Sequence, residues 1–163
     1  MLSAVAVVLS YLESLIPTTA FMPVGVKAGF SNIATMFAAS AMGFVPAMAI
    51  TVIKALFAGV TRGVTAMLMS FCGGALSTVA MFILFKYFKK MGYLLIGIIS
   101  ALTHNLGQLI ACAVLVQSGS VIGYAPVLII SGIITGAITG SILKAVIPAL
   151  LKINEKASFK GGN

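Results

Sequence analysis

The stretch V-T-A-M-L-M-S-F-C-G-G-A-L-S-T-V-A-M-F-I-L-F-K-Y-F-K-K-M-G-Y-L-L-I-G-I-I-S-A-L-T-H-N-L-G-Q-L-I-A-C-A-V-L-V-Q (Val64–Gln117) holds two long apolar runs. One runs from Val64 to Phe88 and the other from Tyr93 to Gln117, with Lys86, Lys89 and Lys90 at their junction and Gly92 at the break. Each is longer than the roughly 20 apolar residues that a helix needs to cross a bilayer. Two such runs joined by a short basic turn read as a membrane hairpin. Working outward, four more segments appear: Leu2 to Ile16 (stopped by Pro17), a short one from Ser31 to Met42, Pro46 to Gly59, and Tyr124 to Leu151. Gly43, Pro46, Gly63, Gly92, Gly119 and Gly123 mark the breaks. The expected fold is therefore an all-α integral membrane protein. Residues 1–151 form one six-helix transmembrane domain, and 152–163 form a short basic tail, expected to be disordered or interfacial.

Composition supports this class. Hydrophobic residues make up 61% of the chain, charged residues 7%, and the mean hydropathy is +1.20. A soluble domain carries about 25% charged residues, so soluble globular and disordered classes are excluded. The acids are Glu13 and Glu155, with no Asp. This excludes the aspartate-rich Mg²⁺-diphosphate motifs of prenyl synthases, paired-carboxylate glycoside hydrolysis and Asp-based triads. No G-x-x-x-x-G-K-[ST] stretch occurs, so any ATP is hydrolysed by another chain. Neither enzymatic activity, nor a cofactor, nor a metal site is expected, because one His without acidic or thiol partners is a poor ligand set. Cys72 and Cys112 lie in apolar runs and read as free buried thiols. Met1 opens directly onto an apolar run, so a cleaved signal peptide is not expected.

The net charge of +8 reflects topology rather than nucleic-acid binding. Lys86, Lys89 and Lys90 in one turn and Lys152, Lys156 and Lys160 in the tail fall on the same side of an alternating bundle. Lys27 and Arg62 fall on the other. The lysine-rich side is expected to be cytoplasmic, with both termini inside and the protein in the bacterial cytoplasmic membrane. The long apolar loop Pro17–Phe30 then faces outward, either as a lid over the bundle or as a linker in the lipid interface.

Ionisable and polar residues at membrane depth are costly and mark candidate sites. Glu13, Lys27, Asn32 and Arg62 fall in the outer half; Lys54, His104, Asn105 and Gln108 fall near the middle. A pocket open to the outside that collected all eight would hold three fixed cations against one acid. Such a surplus favours an anionic or phosphorylated small molecule. Small residues allow close helix approach. Gly132, Gly136 and Gly140, like Ser70, Gly74 and Thr78, are expected to pack inside the bundle. Ala6, Ser10 and Ser14 are expected either to do the same or to present a docking face to a partner protein.

The stretches F-M-P-V-G-V-K-A-G-F-S-N (Phe21–Asn32) and A-L-T-H-N-L-G-Q-L (Ala101–Leu109) are similar to signatures of a bacterial membrane family. That family is catalogued as heptaprenyl diphosphate synthase component I, or the Gx transporter family. S-Y-L-E-S (Ser10–Ser14) and the glycine-spaced last helix also match, so the resemblance covers nearly the whole chain. The family in turn resembles the substrate-binding S components of energy-coupling factor transporters. These are six-helix proteins with a lid-like first loop that capture substrate from outside. They dock through small residues of the first helix on a transmembrane coupling subunit served by two ATPase subunits. The resemblance implies a micronutrient, flavin or isoprenoid-related cargo and raises Ala6, Ser10 and Ser14 as docking residues. The alternative is a membrane accessory of a prenyl diphosphate or quinone biosynthetic enzyme that binds a soluble partner through the basic inner face. A carrier driven by an ion gradient would need an intramembrane carboxylate, and only Glu13 is available.

Overall fold

Inside a bilayer every backbone N–H and C=O needs an internal partner, so an apolar chain of this kind folds as helices. The computed structural model describes residues 2–15, 30–88 and 90–160, and all regular structure among them is helical. The elements are α1 (Leu2–Leu15), α2 (Phe30–Ala41), α3 (Phe44–Arg62), α4 (Val64–Tyr87), α5 (Tyr93–Val116), a 3-10 turn (Gly119–Tyr124) and α6 (Ala125–Lys160). Residues 16–29, which contain most of the candidate lid and Lys27, lie outside the described residues.

Four stretches are long and apolar enough to cross a membrane: α3, α4, α5 and Gly119–Ile147. With 14 and 12 residues, α1 and α2 are about 21 and 18 Å long at 1.5 Å per residue, against a hydrocarbon core of about 30 Å. Their described parts pack against longer neighbours. Only 17% to 33% of each spanning window is buried, and Leu106, Ile110, Val114, Ile130 and Ile134 stand exposed. Water would not tolerate so many bare aliphatic side chains; lipid does. The chain is a multi-pass membrane protein.

Local chemistry sets the helix ends. α3 begins at Phe44, two residues before Pro46, because a proline in the first turn removes an N–H that has no intrahelical acceptor. It runs to Arg62 and stops at Gly63, whose φ of 90° suits glycine. α5 ends where Gln117 turns left-handed at φ 52°. α6 extends nine residues beyond Leu151. The tail expected to be disordered or interfacial is helical as far as Lys160 and is continuous with the last span. Its Ala, Leu, Lys and Glu residues are good helix formers. Pro148 has no N–H to donate to the Lys144 carbonyl, which makes it the weak point of this long helix.

α3, α4, α5 and α6 pack as successive antiparallel neighbours. α1 lies against α2 and α3, and α2 also reaches α4 and α6. Met36, Met81, Ile96 and Leu143 are fully buried where these helices meet. The tightest crossing is that of α5 with α6. A Cβ on Gly136 would lie 2.5 Å from Ile98 Cα, and one on Gly140 would lie 2.5 Å from the Tyr93 carbonyl oxygen. The glycine spacing in the last helix therefore serves backbone contact between helices. Gly74 and Thr78 likewise face α3, where Thr78 Oγ1 lies 2.8 Å from Thr51 Oγ1.

Candidate functional site

The buried polar groups form a seam across the bundle. On α3, Lys54 is 7% exposed and its Nζ donates to Asn32 Oδ1 of α2 at 3.0 Å. One turn earlier, Thr51 donates to the Ala47 carbonyl and pairs with Thr78 of α4. Ser77 donates to the Gly74 carbonyl. Ser31 and Thr35, one turn apart on α2, are buried beside Asn32 in sequence. Thr35 is 2% exposed, and its Oγ1 makes no hydrogen bond among the described residues.

This contact also fixes the depth of α2. Lys54 is eight residues short of Arg62, so the Asn32 contact lies about 12 Å inside the Arg62 end of α3. The described part of α2 therefore meets Lys54 near the middle of the bundle. A buried ammonium in low dielectric suits a carboxylate or phosphate.

The eight residues expected to share one pocket are distributed unevenly. Asn32 and Lys54 meet directly. His104 and Gln108 lie on α5 at its contact with α4, where a Cβ on Gly73 would be 2.7 Å from Gln108 Cγ and 3.2 Å from His104 Cε1. Asn105 faces α6, with Nδ2 donating to the Leu128 carbonyl at 2.8 Å. It ties α5 to α6, whereas Gln108, about 60° around the same helix, lies against α4. Arg62 is exposed at the end of α3. The side chains of Glu13 and Ser14, and all of Lys27, lie outside the described residues. Of the proposed docking face on α1, Ala6 is 0% and Ser10 3% exposed, covered by the chain's own helices. Cys72 is exposed and Cys112 partly so, both as free thiols; for Cys72 this replaces the buried position expected of it.

Sequence reasoning passed over Thr51, Thr35 and Ser31, and read Thr78 only as a packing residue. A signal for the first two was present: Thr51 is three residues from Lys54, and Thr35 three from Asn32, so each shares a helix face with a residue already singled out. Among the described residues, no group of three His, Cys, Asp or Glu side chains could hold a metal ion.

The opposite end of the bundle is basic. Lys86 and Lys90 are exposed at the α4–α5 turn. Lys144 is exposed one turn past Gly140, which packs level with Tyr93 at that same end. Lys152, Lys156 and Lys160 recur every fourth residue on the extension of α6. The bundle thus joins a buried polar seam to a basic end.

No curated protein sequence and no solved structure matches the chain. A family model does, over residues 2–146, which spans α1 through most of α6 and includes both the seam and the α4–α5 turn. With five helices and most of the sixth inside the match, the chain belongs to the family described as heptaprenyl diphosphate synthase component I.

Proposed function

We propose that this protein is the membrane-embedded accessory component of a prenyl diphosphate-synthesising assembly. It spans the cytoplasmic membrane with its basic end inside and recruits a soluble partner there. The observation that carries this reading is charge asymmetry. Lys86, Lys89, Lys90, Lys144, Lys152, Lys156 and Lys160 belong to one end, against the single acid Glu155. α6 runs about 24 Å past Lys144, long enough to leave the headgroup layer and meet a soluble protein. The family description supports the partner's chemistry. The partner must bring the carboxylates that hold Mg²⁺ and diphosphate, because this chain has no Asp and two Glu.

The test is affinity purification of the full chain from its native membranes, with prenyl diphosphate synthesis assayed in the eluate. A soluble prenyl synthase is expected to co-purify, and the triple charge reversal Lys152→Glu, Lys156→Glu, Lys160→Glu is expected to release it. Purification without any prenyl-synthesising activity would overturn this reading.

A second reading is favoured by the buried Lys54 ammonium and its Asn32 partner. In it, the six-helix protein acts as an S-component-like capture subunit, both termini inside, that takes an anionic small molecule from outside and hands it to a coupling subunit with ATPases. Lys54 and Asn32 would hold the anion. Mass spectrometry of small molecules released on denaturation tests it. A stoichiometric anion that is lost in Lys54→Met supports capture; an empty protein after expression in the native host counts against it.

A further inference from the structure

A second feature lies far from the polar seam. Between the end of α4 and the start of α5 there is a cleft of about 690 Å³ lined by Lys86, Tyr87, Phe88, Lys90, Met91 and Leu95. Among the described residues its lining holds two cations, Lys86 and Lys90, and no acid; the side-chain carboxylates, Glu13 and Glu155, are on α1 and on the far extension of α6. The Lys86 ammonium is held 5.5 Å from the ring centroids of both Phe82 and Tyr87, which restricts where it can swing. α5 starts beside the cleft with no side chain capping its N-terminus. The positive end of a 24-residue helix therefore adds to the two lysines. The other lining residues are aromatic or aliphatic, and Tyr87, Phe88 and Leu95 are well exposed.

Depth decides what can reach this cleft. α4 is 24 residues long, about 36 Å, which exceeds the hydrocarbon thickness. Its Lys86 end therefore emerges among the headgroups, where Tyr and Lys side chains anchor. A ligand there meets cations on the water side and exposed apolar side chains on the lipid side.

We infer that the α4–α5 cleft is a binding site for the phosphate head of an anionic amphiphile. The phosphate lies between Lys86, Lys90 and the α5 N-terminus, and the apolar chain lies over Phe88, Met91 and Leu95. This chemistry has two sources, an anionic phospholipid or a prenyl diphosphate. The second source rests on the proposed function; the first does not.

The experiment uses the full-length protein in phosphatidylcholine nanodiscs and follows binding of a fluorescent phosphatidylglycerol, with unlabelled competitors. Wild type is expected to bind one phosphatidylglycerol saturably. Lys86→Gln with Lys90→Gln should weaken binding about thirty-fold, each lysine contributing on the order of fivefold near a surface. Lys144→Gln, at the same end but outside the cleft, should change it less than twofold, and thermal unfolding should be unchanged in both variants. Competition by farnesyl diphosphate at lower concentration than phosphatidylglycerol identifies a prenyl diphosphate as the occupant. Competition by phosphatidylglycerol alone identifies a membrane lipid. Binding that is unaffected by the double variant, or equally weakened by Lys144→Gln, overturns the inference. So does displacement by inorganic pyrophosphate as effective as by either amphiphile, since the apolar lining would then contribute nothing. Partner co-purification is read separately, so the cleft and the accessory role can fail independently.

Discussion

Adding one methyl group at Gly136 tests whether the α5–α6 crossing is as close as the coordinates place it. The new Cβ would sit 2.5 Å from Ile98 Cα and 2.7 Å from the Gly97 carbonyl oxygen. Carbon atoms in contact prefer about 3.5–4.0 Å, so α5 and α6 must part by about 1 Å. The obstacle is backbone, which cannot rotate away as a side chain can. Parting also loosens the neighbouring contacts of Gly97 with Gly140. Overpacking of this kind costs about 1–3 kcal/mol, and alanine's better helix propensity returns at most about 1 kcal/mol. Gly136→Ala should therefore destabilise the protein by about 1–2 kcal/mol. Gly92→Ala is the control, because Gly92 has φ −70° and nothing within 4 Å of the added carbon. It should shift stability by less than about 0.5 kcal/mol. Unfolding in mixed micelles, titrated with dodecyl sulfate and followed by circular dichroism, reads both. A Gly136→Ala midpoint equal to that of Gly92→Ala would refute the close crossing.

Three further outcomes are expected. In a double-mutant cycle of Thr51→Val and Thr78→Val, the coupling energy should be about 0.6 kcal/mol and no more than about 1.7 kcal/mol, the range for hydrogen bonds between membrane helices. A value of zero would remove the 2.8 Å pair from the account. Asn105→Ala should loosen α5 from α6 by about 1 kcal/mol, and Gly132→Ala, whose Cβ would meet Asn105 Nδ2 at 2.9 Å and Leu102 Cδ2 at 3.0 Å, should cost less in that background than in the wild type. Additive losses in the double variant would contradict that contact. In a background with both cysteines replaced, Gly92→Cys and Gly119→Cys should be labelled by an impermeant maleimide from opposite sides of the membrane, Gly92→Cys from the cytoplasm. Labelling from one side would refute the antiparallel order, and the reverse sidedness would refute the orientation.

The sequence by itself determined the solvent and the four long helices. An apolar run longer than the hydrocarbon core has few alternatives to a helix, because lipid offers no partner for backbone groups. Glycine and proline punctuation placed most breaks within a few residues. It also singled out Lys54 and Asn32, since a charge in an apolar run is costly wherever the run folds. The tertiary structure alone decided how polar groups are shared among helices. His104, Asn105 and Gln108 form one cluster in sequence, yet α5 packs between two helices, so Gln108 touches α4 while Asn105, about 60° around the helix, bonds to α6. Tertiary contacts also showed that Ala6 and Ser10 face the chain's own core, since a small-residue stripe reads the same whether its neighbour is internal or a partner. The mid-depth meeting of Asn32 with Lys54 came from a single hydrogen bond across two helices. No local pattern encodes that distance, because it depends on how far one helix slides along another.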